Sequence, residues 1–177
     1  MRGWLLGVLA LAWIAGGAGA AAAAELRADM RRATPSGPGE AIGTVTIADS
    51  PAGALVKPDL KGLPPGPHGF HVHEHGSCQP TTANNQPVPA GAASGHFDPQ
   101  STSKHTGPHG EGHLGDLPVL QVAADGSATA SLTAPRITDV ASLRGKAVVI
   151  HQGGDNYSDQ PAPLGGGGAR IACGALE

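Results

Sequence analysis

The apolar positions along this chain recur at every second residue, which is the period of a β-strand. Residues 44–47 read TVTI and alternate polar with apolar side chains. Residues 127–134 alternate over a longer stretch and place Ala128, Ala130, Leu132 and Ala134 on one face. Such segments predict half-buried strands with one face toward a core.

Turn signals and further apolar segments extend this pattern along the chain. Asp125-Gly126 predicts a hairpin between residues 117–123 and the strand that follows. Further strands are predicted over residues 53–60, 69–75, 146–151 and 169–173. No helical stripe accompanies them, so we expect an all-β fold. The pattern alone does not choose between an antiparallel sandwich and a barrel.

Two segments break the strand pattern and predict long loops. Residues 76–116 are rich in Gly, Pro, Ser, Thr and His, and residues 152–168 end in four consecutive glycines. Loops of this length are usually functional or disordered, and the histidines of the first loop favour function. The glycine run does not predict a phosphate-binding loop, because no Lys-Ser/Thr pair follows it and no helix is predicted after it.

Residues 1–24 have the composition of a secretory signal peptide. Arg2 precedes an apolar segment over residues 4–14, and small residues with several A-x-A cleavage options follow up to Ala24. A membrane anchor is the alternative, but the apolar segment is short for a bilayer and no charged stop-transfer segment follows. We therefore expect a periplasmic or secreted protein with one domain over residues 25–177 and no stable membrane anchor after cleavage.

The composition of residues 25–177 narrows the function. Without Arg2 the chain has ten Lys and Arg against fourteen Asp and Glu, a formal charge of −4, so nucleic-acid binding is not expected. Three aromatic residues fall in this region, and the core must therefore be aliphatic. Cys78 and Cys173 are the two cysteines, and an oxidising compartment favours their pairing.

All nine histidines also fall in this region. His71 and His73 are two residues apart in a predicted strand, so their side chains leave the same face and can chelate one ion. The other candidate ligands lie in the first loop or at a strand end: His96, His105, His113, Asp116 and His151. Nitrogen-rich, roughly square sites favour Cu(II), and tetrahedral sites with nitrogen and oxygen ligands favour zinc. The pattern therefore predicts metal binding.

Six motifs together resemble the copper/zinc superoxide dismutases, in particular their exported bacterial branch. They are GFHVHE at 69–74, GHFDP at 95–99, HTGP at 105–108, GHLGDLP at 112–118, HQGGDNYSD at 151–159 and PLGGGGARIACG at 163–174. The resemblance covers essentially all of residues 25–177. It implies an eight-stranded antiparallel Greek-key β-barrel, an immunoglobulin-like sandwich, with two long functional loops and a Cys78–Cys173 disulfide that tethers the first.

The resemblance also implies the ligands of one copper and one zinc per subunit. Copper would be held by His71, His73, His96 and His151, and zinc by His96, His105, His113 and Asp116. Two four-coordinate ions need eight positions, and this set fills them when His96 bridges both ions. Asp155 would hydrogen-bond His71 and His105 and so orient one ligand of each ion.

The implied reaction is the disproportionation of superoxide into dioxygen and hydrogen peroxide by redox cycling of copper beside a structural zinc. Arg170 would guide the anionic substrate, and His96 would deliver a proton. A non-catalytic periplasmic copper/zinc-binding protein on the same barrel is the alternative, since a fold does not by itself define a function. A two-metal hydrolase is a weaker third hypothesis, because such sites favour bridging carboxylates.

Some features stay open at this point. The resemblance does not decide between a monomer and a homodimer. Three histidines, His68, His75 and His109, have no implied ligand role, and we expect them to be solvated.

Overall fold

Twelve β-strands and three short 3₁₀ turns make up the computed structural model, which describes residues 23–177. The strands are β1 (Glu25–Thr34), β2 (Gly37–Ser50), β3 (Gly53–Leu60), β4 (Gly66–His68), β5 (Phe70–His73), β6 (Thr81–Ala83), β7 (Gln86–Val88), β8 (Leu120–Val122), β9 (Ala128–Thr129), β10 (Leu132–Ala134), β11 (Ala147–His151) and β12 (Arg170–Ala175). The 3₁₀ turns are Gly91–Ala93, Val140–Leu143 and Leu164–Gly166. No α-helix occurs within residues 23–177.

Eight of the strands form one antiparallel sheet. Its order is β10-β3-β2-β1-β12-β11-β5, with β9 also paired to β3. Two further pairs, β4 with β8 and β6 with β7, stand outside this sheet. Neighbours such as β5 and β11 are far apart in sequence, as the long connections of a Greek key require. The curled sheet confirms the eight-stranded all-β prediction.

The core enclosed by the sheet is aliphatic, as the composition predicts. Leu26, Ile47, Leu120 and Ile150 are among its largest fully buried side chains. Phe70 is buried with them. Burial of such side chains removes apolar surface from water, which is the main favourable contribution to folding.

Strand β1 is an addition to the predicted strands. Leu26, Ala28 and Met30 are buried, and the residues between them are exposed. β1 pairs with β2 over most of its length and with β12 at Arg31↔Cys173. It therefore joins the β2–β3 side of the sheet to the β11–β12 side.

The strand predicted over residues 127–134 is interrupted. It forms β9 and β10, and both pair with β3 in the same register. This register places Ala130 opposite Pro58, which has no N–H to donate to the ladder. Ala130 is exposed, so its predicted place on the apolar face is wrong.

The hairpin predicted around Asp125-Gly126 forms only as a turn. The amide of Gly126 donates to the carbonyl of Ala123 at 2.9 Å, and the amide of Ala123 donates to the carbonyl of Ser127 at 2.8 Å. Beyond the turn, β8 pairs with β4 and β9 pairs with β3. The hairpin prediction is therefore wrong outside the turn itself.

The first long loop has more structure than its composition predicts. It contains the β6–β7 hairpin, whose turn residues Asn84 and Asn85 have φ of 50° and 58°. Asparagine tolerates this left-handed backbone better than most residues, as type I′ turns require. Cys78 forms the expected disulfide with Cys173 of β12, 95 residues away in sequence. The bridge anchors the first loop to the sheet.

The signal peptide predicted over residues 1–24 lies, except for its last two residues, outside the described part of the chain. Among residues 23–177, no helix has the length and apolar character needed to cross a bilayer.

Candidate metal centre

Strands β5 and β11 and the first loop bring four histidines together. His71 and His73 lie in β5, which is the antiparallel neighbour of β11 and its terminal His151. A β-bridge to His73 adds His96 from the first loop. One ring nitrogen of each residue lies within 4.8 Å of the others, and all four residues are buried. We call these four residues the copper group, after the ion that the sequence predicts there.

Hydrogen bonds determine which nitrogens of the copper group face inward. Nδ1 of His73 donates to the carbonyl of Ser94 at 2.8 Å, and Nδ1 of His151 donates to the carbonyl of Gly168 at 3.0 Å. Their Nε2 atoms then carry lone pairs, yet they lie only 3.3 Å apart. Two lone pairs at this distance repel each other unless a cation lies between them. The arrangement therefore fits a metal ion.

A second group of ligands surrounds Asp116. Its Oδ1 lies 2.9 Å from Nδ1 of His96 and 3.5 Å from Nδ1 of His113, and its Oδ2 lies 2.9 Å from Nδ1 of His105. His96 thus reaches the copper group with Nε2 and this second group with Nδ1. We call His96, His105, His113 and Asp116 the zinc group.

Two histidines compete for the fourth position of the zinc group. By distance alone, His71 forms a compact set with His96, His105 and Asp116. However, Nε2 of His71 is bonded to Asp155, and its Nδ1 is the nitrogen that it offers to the copper group. His113 has an unpartnered Nδ1 beside Asp116. The hydrogen bonds therefore favour His113 over His71.

Five buried polar atoms at this centre lack a hydrogen bond of acceptable geometry within the described chain, two of them, Nδ1 of His105 and Oδ2 of Asp116, although they lie 2.9 Å apart. They are Nδ1 of His71, Nε2 of His96, Nδ1 of His105, Nδ1 of His113 and Oδ2 of Asp116. Unpartnered buried polar atoms are rare in proteins because each costs about 1–3 kcal/mol. Their concentration in two donor clusters is the arrangement that two bound cations would satisfy.

Asp155 connects the two groups. Oδ2 accepts from Nε2 of His71 at 2.8 Å, and Oδ1 accepts from Nε2 of His105 at 2.7 Å. Burial acts to raise the pKa of Asp155, but the hydrogen bonds from His105 and His71 outweigh it and hold the pKa below its usual range. One ionised carboxylate thus fixes the ring orientation of a ligand from each group.

The electrostatics differ between the two groups. Burial, with the neighbouring His96 second, lowers the pKa of His71 to about 3, and burial lowers that of His151 to about 4. Burial also acts to lower the pKa of His105, but Asp116 and Asp155, both within 3 Å of its ring nitrogens, raise it to about 9. Neutral imidazole is the form that binds metals, and the copper group is in this form at neutral pH.

Comparison with known proteins decides between the interpretations of this centre. The family model for copper/zinc superoxide dismutase matches residues 41–176. The chain belongs to the copper/zinc superoxide dismutase family. Superoxide dismutase [Cu-Zn] 2 of Salmonella typhimurium is 53% identical over 169 residues, which cover 96% of this chain and 97% of that protein.

Solved superoxide dismutases share the fold. The Cu/Zn superoxide dismutase from Brucella abortus is 48% identical with a TM-score of 0.86, and the match covers 87% of this chain and 100% of that one. The monomeric copper, zinc superoxide dismutase from Salmonella enterica, solved in solution, is 55% identical with a TM-score of 0.78 and the same coverage. The expected barrel, superoxide dismutase activity, and copper and zinc cofactors are confirmed over a non-catalytic metal-binding protein.

Arg170 supplies a fixed positive charge beside the copper group of this superoxide dismutase. Nη1 donates to the carbonyl of Ala90 at 2.7 Å, and Nη2 donates to the carbonyl of Ser94 at 2.6 Å. The Ser94 carbonyl also accepts from Nδ1 of His73. Within residues 23–177 no carboxylate lies within 4 Å of this guanidinium. Burial lowers the pKa of Arg170, but the usual pKa of a guanidinium is so high that the side chain keeps its charge.

His68 corrects one expectation from the sequence. It is 2% exposed rather than solvated, and its ring nitrogens lie 2.7 Å from the carbonyl of His151 and 2.8 Å from that of Pro64. It therefore supports the backbone of a copper-group histidine. His75 and His109 are exposed, as expected. The His151 carbonyl is 83 residues away from His68, so no local sequence signal identifies this contact.

Proposed function

We propose that this superoxide dismutase uses its two donor groups as a copper site and a zinc site that share His96. Copper would be held by Nδ1 of His71 and by Nε2 of His73, His96 and His151, and zinc would be held by Nδ1 of His96, His105 and His113 and by the carboxylate of Asp116. The observation that carries the proposal is the set of five unpartnered buried donor atoms divided between the two groups. When bound, copper supplies the one-electron redox chemistry and zinc a fixed charge.

The residues of the centre bind, orient and protonate the substrate. Two superoxide ions and two protons give one dioxygen and one hydrogen peroxide. Arg170 attracts the anion and holds it beside the copper group. Nε2 of His96 takes up a proton in one half of the cycle and gives it to the superoxide that is reduced in the other half. Nδ1 of His96 lies 2.9 Å from Oδ1 of Asp116, and with zinc bound both atoms would be ligands of that ion, which would keep the ring in place while Nε2 exchanges its proton.

Metal analysis combined with turnover tests this proposal. The purified protein, stripped of metals and then loaded, should contain one copper and one zinc and should disproportionate superoxide, whereas the metal-free control should not. His96→Ala should still bind copper weakly through the other three nitrogens but should lose zinc and turnover together. A His96→Ala protein with normal zinc content would show that His96 does not join the two sites.

We also propose that residues 1–24 are a signal peptide and that residues 25–177 form the mature domain in the periplasm. The charged start, the apolar segment and the small residues before Ala24 support cleavage, and β1 begins at Glu25. Mass spectrometry of the protein recovered from the periplasm should show the loss of the leader. A full-length chain in the membrane fraction would contradict this and would support the anchor.

The monomer is the subunit state that we propose, with superoxide as the substrate. The relative solved in solution is described as monomeric, and this supports the choice over the homodimer. Sedimentation equilibrium of the metal-loaded protein should give the mass of one chain. A mass of two chains at micromolar concentration would contradict it.

A further inference from the structure

His113 differs from the other candidate ligands in how its ring is held. In four others the second ring nitrogen bonds a protein oxygen: His71 and His105 bond Asp155, His73 bonds Ser94 and His151 bonds Gly168. Within residues 23–177 no hydrogen bond joins the second nitrogen of His113, Nε2, to another residue, and its Nδ1, the nitrogen offered to zinc, lies 3.5 Å from the nearest oxygen of Asp116. Metal-bound histidines usually depend on a hydrogen bond of this kind for their orientation. His113 must therefore be held in another way.

The backbone of His113 is held by Arg136. Nη1 of Arg136 donates to the carbonyl of His113 at 3.1 Å, and Nη2 donates to the carbonyl of Gly112 at 3.0 Å. The planar guanidinium suits two neighbouring oxygens, because its donors form a rigid fork. In the described part of the chain no carboxylate lies within 4 Å of Arg136, so no ion pair draws it away from these carbonyls.

Arg136 also attaches this segment of the first loop to the sheet. It follows β10 directly, after Pro135. The segment 104–113 folds back on itself through the amide of His113, which donates to the carbonyl of Lys104 at 2.9 Å. Elsewhere in this segment the side-chain hydrogen bonds that leave it join Lys104 to Thr102 of the same loop and His105 to Asp155 and Asp159 of the second loop. Arg136 therefore joins the sheet to this segment by hydrogen bonds at Gly112 and His113.

Gly112 leaves the loop little freedom to adjust at this point. A Cβ on Gly112 would lie 2.3 Å from the carbonyl oxygen of Lys104 and 2.5 Å from Oγ1 of Thr106. The backbone is therefore packed closely at Gly112, and the guanidinium holds the carbonyls of Gly112 and His113. Loss of the clamp would leave both carbonyls without these donors and would remove a restraint on the position of His113.

We propose that Arg136 is a positioning residue for the zinc site, which holds the otherwise unsupported ligand His113 through its backbone. This inference rests on the proposed zinc ligands. Arg136 touches neither the metal nor the substrate, so its effect is on zinc affinity and on the geometry of that site. Three copper-group residues lie on other elements, β5 and β11, and the fourth, His96, is joined to His73 by a β-bridge and not to Arg136, so the copper group does not depend on this clamp.

Arg136→Lys and Arg136→Gln test the inference. Lysine keeps the charge but cannot hold two carbonyls in a fork, and glutamine removes the charge. Arg31→Lys is the matched control, because Nη1 of Arg31 also bonds a backbone carbonyl, that of Gly39 in the β1–β2 hairpin. Zinc dissociation constants from chelator competition should rise about tenfold or more in both Arg136 variants, in the range seen for lost supports of metal ligands. Arg31→Lys should match the unmodified protein.

Spectra and thermal unfolding distinguish positioning from a general loss of stability. Co²⁺ bound at the zinc site should show altered visible bands in Arg136→Lys, while the Cu²⁺ resonance spectrum stays unchanged. The rise in Tm on zinc binding should shrink relative to the metal-free variant. Unchanged zinc affinity and unchanged cobalt bands would overturn the inference. A lower Tm of the metal-free variant, combined with the same zinc-induced rise in Tm as in the unmodified protein, would also overturn it. Failure of the unmodified protein to bind zinc would instead contradict the proposed function.

Discussion

Replacing Arg170 by Glu should slow superoxide turnover, because Arg170 is a fixed cation next to the copper group. Its 2.6 Å bond and the 2.8 Å bond of His73 end on the same Ser94 oxygen, so Nη2 lies no more than about 5.4 Å from Nδ1 of His73. At about 6 Å from the substrate, a unit charge contributes roughly 0.7–2.8 kcal/mol for a dielectric constant of about 80 to 20. Arg170→Gln should therefore lose about threefold to a hundredfold in rate, and Arg170→Glu more.

Pulse radiolysis at several salt concentrations measures this effect directly. The rate of the unmodified protein should fall as salt screens the attraction, and Arg170→Glu should weaken or reverse that decline. Lys57→Glu is the matched control: it makes the same charge change at an exposed position of β3, three strands from β12. Metal content must be equal in all samples. Full activity and an unchanged salt slope in Arg170→Glu would refute the steering role.

Three further changes test other parts of the centre and the fold. Asp155→Asn should raise the zinc dissociation constant about tenfold to a hundredfold and alter the copper resonance spectrum, because one carboxylate orients a ligand of each ion. An unchanged zinc affinity together with an unchanged copper spectrum would reject this prediction. Ser94→Gly should increase the unfolding free energy by about 1 kcal/mol, since φ 67° and ψ −151° favour glycine, and Ser94→Ala should give no gain. Cys78→Ser should lower the free energy of unfolding by about 2–5 kcal/mol in urea unfolding. A smaller loss would show that the disulfide restrains the unfolded chain little.

The sequence predicts the strands best where one face is buried and the alternation is local. β3 has the predicted limits, and β11 begins one residue later than predicted. β1 has the same alternation in Leu26, Ala28 and Met30, so its strand could have been predicted from residues alone. The break in the strand at Ala130 could not have been predicted from local residues, because Ala130 lies opposite Pro58 of another strand. Pairing partners are set by the whole sheet and not by the turn between two segments.

The residues of the donor groups could be predicted because their chemistry is in their side chains. Imidazole and carboxylate groups in a recognisable spacing identify a metal centre from the amino-acid sequence alone. The groups that hold these ligands in place could not be predicted in the same way. Ser94, Gly112 and Gly168 contribute backbone carbonyls, which any residue type offers, and Arg136 acts on the loop from a distant strand end. Such contacts follow only from the folded chain.

The shared ligand His96 is the central claim, and the magnetic coupling between two ions tests it most directly. The protein should be loaded with Cu²⁺ in the copper group and with paramagnetic Co²⁺ in the zinc group, and its electron paramagnetic resonance spectrum should be recorded. A bridging imidazole couples the two spins, so we expect the copper signal to be lost in the mixed protein and to be present when zinc replaces cobalt. A copper signal of full intensity in the cobalt-loaded protein would contradict the bridge.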